Sequence, residues 1–267
     1  MKYNQKIVRS ANNYYEIWEY EKPILITDKF EDDSTGMAKN DKSEKALRRT
    51  FEELSDVEQA ERLRRMSETR LKAKWKILRL VDTNFDDKTS FLTLTTKNNV
   101  QERNQFTNMF DLFITRLNYS LYSTKKRKIK YLATLERQKR GAWHAHILLF
   151  NIEFIPHKDL LNIWGHGAVR INKLNHLDDS SNAGRYIVKY MEKSIGQSLL
   201  ESFGKKSYLA SRNLKKPLEN KIYLKEPLEF DNSIVLYETE YKSKIYRNGR
   251  LIDNPVRYRK IKVVEEE

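Results

Sequence analysis

Residues Tyr131 to Phe150, YLATLERQKRGAWHAHILLF, decide the fold. The stretch reads as a β-hairpin with one arm over 129–138, a tip at Lys139-Arg140-Gly141 and a second arm over Trp143–Phe150. Glycine at the tip supplies the backbone freedom that a short turn needs. Leu132, Ala145, Ile147 and Leu149 are apolar and Leu148 and Phe150 extend the run, so the strands belong well inside a sheet. His144 and His146 are two residues apart and therefore share one face of their strand. With the tip centred near Arg140, Glu136 falls opposite His144, where facing Cβ atoms stand roughly 5 Å apart. Two imidazoles and a carboxylate in one patch form a three-ligand metal set. The same His-x-His spacing also fits two surface imidazoles on a half-exposed strand.

The elements around the hairpin follow from periodicity. Upstream, Ser90–Thr96, SFLTLTT, alternates as a strand does, and 101–122 repeats Phe106, Met109, Phe110, Phe113, Ile114, Leu117 and Leu121 at helical spacing. Those residues read as a core face. Downstream, Pro156 opens a short helix over 157–164, Ala168–Leu174 is a strand, and 185–194 is a helix ending before Gly196. Further upstream, 44–82 reads as helix, with Ser43 as a cap and Ser55-Asp56 as a break. Its second part carries Arg62, Arg64, Arg65, Arg70, Lys72, Lys74, Lys76 and Arg79 facing only Glu68. That run is either a solvated helix surface or a phosphate-contacting face. Residues 1–30 are strand-like and aromatic (Tyr14, Tyr15, Trp18, Tyr20), 31–43 read as linker, 201–227 as a basic stretch broken by prolines, and 232–264 as short strands with a turn at Asn248-Gly249. The order implies an α+β fold: a central antiparallel or mixed β-sheet with helices packed on one side. Three regions are expected: a basic helical region over 1–85, a central domain over 86–198, and a basic extension with short strands over 199–267.

Composition narrows the partners. A net charge of +14 and a pI near 9.6 point to a polyanion, most simply nucleic acid. The chain has no cysteine, which excludes disulfides, zinc fingers and thiol chemistry. It has no apolar run long enough for a membrane span and no apolar leader core, so it is expected in the cytoplasm. No phosphate-binding Gly-x-x-x-x-Gly-Lys-[Ser/Thr] occurs, because Gly204-Lys205-Lys206 lacks the rest; a fused ATPase is not expected. His157, His166 and His176 read as surface histidines, with His166 beside Trp164 worth testing.

A second constellation lies on the 185–194 helix. Tyr186 and Tyr190 are four apart and Lys189 is three from Tyr186, so all share one side. A phenol ionises near pH 10, so a tyrosine nucleophile needs a nearby cation or metal. The same pattern also fits an amphipathic helix packing its tyrosines.

Taken in order, the strand Phe91-Leu92-Thr93-Leu94-Thr95, the pair His144-Ala145-His146 and the run Tyr186-Ile187-Val188-Lys189 with Tyr190 resemble the three motifs of the HUH endonuclease superfamily. Within it the likeness is to the rolling-circle replication initiators, the Rep proteins. The resemblance spans about 88–195; the small Ala145 between the histidines departs mildly from the usual larger residue. It implies a ferredoxin- or RRM-like palm and a nickase acting on one strand of origin DNA. Glu136, His144 and His146 would hold Mn2+ or Mg2+. Tyr186 would attack to give a 5′-phosphotyrosine and a 3′-hydroxyl that primes a host polymerase, working with a host helicase. Lys189 would position the phosphate, and Tyr190 would serve a second strand transfer. The basic residues from Arg62 to Arg79 are the first choice for duplex contact and Lys205–Lys225 the second. A relaxase or transposase of the same fold, or a non-enzymatic DNA-binding regulator, are the alternatives.

Overall fold

The computed structural model describes residues 2–11, 13–25, 29–30, 50–174, 187–189, 206 and 208–264. Its elements are β1 (Lys2–Arg9), β2 (Tyr14–Leu25), β3 (Lys29–Phe30), α1 (Asp56–Asn84), β4 (Ser90–Thr95), α2 (Arg103–Tyr122), β5 (Lys130–Arg137), β6 (Trp143–Phe150), α3 (His157–Trp164), β7 (Val169–Lys173), β8 (Leu209–Ala210), β9 (Leu218–Ile222), β10 (Ser233–Arg247) and β11 (Arg250–Val263). Residues 187–189 are helical. The chain divides into two units: Thr50–Lys216, and Met1–Arg49 with Pro217–Glu267.

The Thr50–Lys216 unit is built on a five-stranded antiparallel sheet in the order β7-β4-β6-β5-β8, with the expected hairpin at its centre. Gly141 closes the hairpin at φ +89, a left-handed conformation that side chains rarely adopt. Alternation along the strands sorts the side chains into two layers. One face carries Leu92, Leu94, Ala133, Leu135, Ala145, Ile147 and Leu149 against α2 and α3, which contribute Phe106, Phe110, Phe113, Ile114, Leu117, Leu160 and Trp164. Trp164 is fully buried; its indole N–H donates to the Thr95 carbonyl at 2.8 Å and its ring meets Phe106 and Phe113 edge-on. The other face carries Phe91, Leu132, Leu148 and Phe150 against Ile77, Leu80 and Val81 of α1 and against Ile187 and Val188. Helices thus cover both faces, not one. A strand buried on both sides reads as a continuous apolar run, which leaves the second layer invisible to a period-two count.

α1 begins where Ser55 caps it. The Ser55 hydroxyl accepts from the Glu58 N–H at 3.4 Å and the Ser55 N–H donates to the Glu58 carboxylate at 3.0 Å, a reciprocal capping box. Ser55-Asp56 is therefore a helix start; Ser43 and 44–49 lie outside the described residues. Between α2 and β5, buried Asn118 holds the turn. Its amide N–H groups donate to the Thr124 and Lys126 carbonyls at 2.7 and 3.1 Å, and its oxygen accepts from the Lys128 and Ile129 N–H at 2.7 and 3.2 Å.

In the other unit the two ends of the chain share one six-stranded sheet, β3-β10-β11-β2-β1-β9. The segments expected as separate flanks thus form one body, through pairings such as Tyr258 with Trp18. The expected short strands over 232–264 are one long hairpin, β10 and β11, turning at Asn248-Gly249 with φ +51 and +76. Among the described residues no helix is long and apolar enough to cross a membrane.

Candidate active site

The site grows out of strand register. Glu136 stands opposite His144 across the β5–β6 ladder, as the hairpin tip dictates, and Thr95 and Thr93 stand opposite His144 and His146 on β4. Glu136, His144, His146, Thr93 and Thr95 therefore share one face. That face is the one on which Ile187 and Val188 pack.

Within the patch the carboxylate reaches diagonally. Glu136 Oε2 lies 2.8 Å from His146 Nε2, not from the directly opposed His144. The other ring nitrogen of His146, Nδ1, lies 3.3 Å from the Thr93 hydroxyl, and Phe91 stacks on the ring with centroids 5.8 Å apart. His146 is 5% exposed and fixed on three sides. The His144 ring centroid is 6.2 Å from that of His146. His144 Nε2 is buried and has no hydrogen-bond partner among the described residues. Burial pushes the His144 imidazole down to about 4, helped by the neighbouring His146 and Arg140 and opposed by the Glu136 carboxylate. His144 is therefore a neutral imidazole at ordinary pH, the form that ligates metal.

The donor types fit a divalent cation. Two imidazole nitrogens and a carboxylate suit Mn2+, and Mg2+ with less preference. A buried ring nitrogen lacking a partner is the feature an ion would complete. Among the described residues no three His, Cys, Asp or Glu side chains are already grouped around one point. The Glu136 carboxylate is engaged by His146, and His144 stands alone beside them.

The remaining expected site residues are distributed as follows. Tyr186 and Tyr190 lie outside the described residues, as do His176 and Lys205. Lys189 is exposed, one residue beyond the buried pair Ile187 and Val188. His157 is not a free surface ring: its Nε2 lies 2.8 Å from the Val169 carbonyl. His166 sits edge-on to Trp164 at 5.1 Å.

Along α1, Arg64, Arg65, Lys72 and Lys76 are exposed, and Arg62, Lys74 and Arg79 are half-buried. Arg70 is 7% exposed, so it offers no open cationic surface, and its burial pushes its pKa down. Nor does the run face Glu68 alone. Glu61 accepts from Arg64 at 2.9 Å and from Arg65 at 2.7 Å, and those hydrogen bonds, Arg64's first, hold its carboxyl down at about 2. Arg64 also pairs with Glu68. Exposed Lys72 and Lys76 are then the cleaner candidates for phosphate contact.

Sequence reasoning did not anticipate the residues that frame the patch. Arg140 leaves the hairpin tip to donate to the Thr96 carbonyl. Gly167 lies against the end of β4, where a Cβ would meet the Thr95 oxygen at 2.4 Å and the Lys97 nitrogen at 2.5 Å. Thr93 did carry a signal, since it sits in the FLTLT strand at the position facing His146.

An antiparallel sheet with an acid and two imidazoles on one face is a class of site that serves metal-assisted phosphoryl transfer. Residues 89–195, less than half of the chain, match the family model for the replication-associated protein of the ORF2 type. The match supports a Rep-type protein with a role in replication initiation. Comparisons with curated proteins and with solved structures gave no match.

Proposed function

We propose that the protein is an HUH-type rolling-circle replication initiator that nicks one strand of origin DNA and later rejoins it. One observation carries this reading. The Glu136–His146–His144 patch and the buried pair Ile187-Val188, which lies between Tyr186 and Tyr190 in sequence, occupy the same face of one sheet. The family match over 89–195 encloses both.

Glu136, His144 and His146 would hold Mn2+ or Mg2+, which when bound polarises the scissile phosphate. The Tyr186 hydroxyl gives up its proton and attacks phosphorus. The bond from phosphorus to the 3′ oxygen breaks, and that oxygen takes a proton and leaves as a free 3′-hydroxyl. The other fragment remains as a 5′-phosphotyrosine, a phosphodiester that a 3′-hydroxyl can attack to reseal the strand. Lys189 supplies a cation to the phosphate, or lowers the Tyr186 pKa. Tyr190 serves the second transfer. Thr93 and Phe91 orient His146, as outer partners of ligating imidazoles do. The free 3′-hydroxyl primes a host polymerase, with a host helicase opening the duplex.

The test is a nicking gel on labelled single-stranded origin DNA with Mn2+. Wild-type protein gives a cut product and a covalent adduct. His144→Ala and Glu136→Ala abolish both while keeping the wild-type circular-dichroism spectrum and melting transition. Undiminished cutting by the His144→Ala, His146→Ala double variant would refute the reading.

A further inference from the structure

The six-stranded sheet has two unlike faces. On one, Ile7, Ile17 and Ile261 pack with Leu228 and Phe230. There Arg259 donates to the Leu228 carbonyl at 2.7 Å and to the Glu229 carboxylate at 3.0 Å. That side is closed by the chain's own segment over 228–230.

The opposite face is aromatic and basic. Register places Thr239, Tyr258, Trp18, Lys6 and Lys221 in one row across five strands. In the neighbouring rows of the same face, Tyr237 stands beside Lys260 and Tyr241 beside Val256. Ring centroids are 5.0 Å apart for Trp18 and Tyr258 and 6.1 Å for Tyr258 and Tyr237, so rings run continuously from β2 over β11 to β10. Tyr258 is the floor of this track, and its hydroxyl donates to Glu16 at 2.7 Å. Tyr237 and Tyr241 are 55% and 44% exposed. The Lys6 ammonium lies 5.2 Å from the Trp18 ring, and those of Lys260 and Lys262 lie 5.4 and 5.6 Å from Tyr14. The acids of this face are engaged: Glu16 accepts from Tyr258, and Glu219 pairs with Lys6 at 3.2 Å and Lys221 at 3.6 Å. Lys6, Lys221, Lys260 and Lys262 outnumber them.

Solvent-facing rings interleaved with lysines on a sheet are what a single strand requires. Bases stack on the rings whatever their identity, and the ammonium groups track the phosphates. The charge complements a polyanion and not an apolar protein surface. We propose that this face of the six-stranded sheet binds single-stranded DNA, stacking bases on Tyr237, Tyr241 and Trp18. Binding of a single strand follows from the face itself; the choice of DNA over RNA rests on the replication reading above. The face would hold the displaced strand, or the strand flanking the nick, without reading its sequence.

The experiment uses the full chain, EDTA to silence cleavage, and a fluorescein-labelled oligo-dT of about 12 nucleotides, a length within the usual site size of sheet-based single-strand binders. Fluorescence anisotropy should show the Tyr237→Ala, Tyr241→Ala double variant binding roughly 10- to 100-fold more weakly, as expected for two missing stacking rings. The Tyr→Phe pair should keep wild-type affinity. Equal affinity of the alanine double variant overturns the proposal. Photocrosslinking of wild-type protein to 5-iododeoxyuridine oligonucleotides does not depend on any variant folding. Crosslinks should map to Trp18, Tyr237 or Tyr241; crosslinks confined to 50–216 overturn the proposal. Tighter binding of oligo-U than of oligo-dT overturns the assignment to DNA. Oligo-dT binding on this face without any Mn2+-dependent adduct would remove the nickase reading and leave this one standing; the converse result removes only this one.

Discussion

Gly167→Ala tests how the β4 edge supports the site. The backbone at Gly167 has φ +156, outside the usual range of L residues, and its Cα faces the chain from Thr95 to Lys97. An added methyl would meet the Thr95 oxygen at 2.4 Å, the Lys97 nitrogen at 2.5 Å and the Thr96 carbonyl carbon at 2.9 Å. All three are backbone atoms, so no side chain can swing aside. The two segments must separate. Doing so stretches the Thr95 N–H bond to the Ala168 carbonyl (2.9 Å), the Lys97 N–H bond to the His166 carbonyl (2.8 Å) and the Trp164 indole bond to the Thr95 carbonyl (2.8 Å). At about 1 kcal/mol net for each bond the loss is roughly 3 kcal/mol. For a body of this size that lowers Tm by about 6–12 °C. Thr95 stands opposite His144, so the displacement also reaches the metal patch and should weaken Mn2+ binding. Urea unfolding followed by tryptophan fluorescence, with Mn2+ titration alongside, measures both. A loss below about 0.5 kcal/mol, the range of ordinary surface substitutions, would refute the packing argument.

Three further outcomes are expected. Asn118→Ala should cost roughly 2–4 kcal/mol in urea unfolding, because four backbone groups at the α2–β5 turn lose their partner; a loss under about 1 kcal/mol would mean that water replaces the amide. The His144 ring should stay neutral in NMR titration of the metal-free protein until pH falls toward about 4, whereas an unfolded histidine protonates near 6.5. Its contribution to stability is then complete above pH 6.5 and is lost as pH falls through that window, the unfolded chain binding the extra proton; a midpoint near 6.5 in the folded protein would contradict the burial. Replacing Lys72 and Lys76 with alanine should flatten the slope of log affinity against log salt for duplex DNA by about 0.9 for each phosphate no longer neutralised, while Arg64→Ala, already paired with Glu61 and Glu68, should change it less; an unchanged slope in the lysine variant removes α1 from the interface.

What the sequence disclosed was mostly local. The hairpin, its Gly141 turn and the Glu136–His144 register follow from a two-residue period and one flexible tip, and the structure has them. α2 and α3 were legible because their apolar residues repeat at helical spacing. Long-range pairing was not. Nothing in a lysine- and tyrosine-rich strand such as β2 says that its partner β11 lies more than two hundred residues away. The second helical layer was hidden because Leu132, Leu148 and Phe150 are apolar like the neighbours that face the first layer. Within the site, the period placed Glu136 opposite His144 but could not say that a long carboxylate side chain would reach diagonally to His146. Gly167 and Asn118 carry no periodic signal at all; only the close approach of two backbones and the turn they serve reveal them.

The nickase mechanism is tested most directly by mass spectrometry of the covalent adduct. Trypsin cuts after Arg185, Lys189 and Lys193, which puts Tyr186 in the peptide YIVK and Tyr190 in the peptide YMEK. After incubation with origin oligonucleotide and Mn2+, nuclease trimming and digestion, YIVK should carry a nucleotide through its tyrosine. That species should be absent when His144 is alanine. Intact, unmodified YIVK and YMEK from protein that has nonetheless cut the strand would contradict the mechanism.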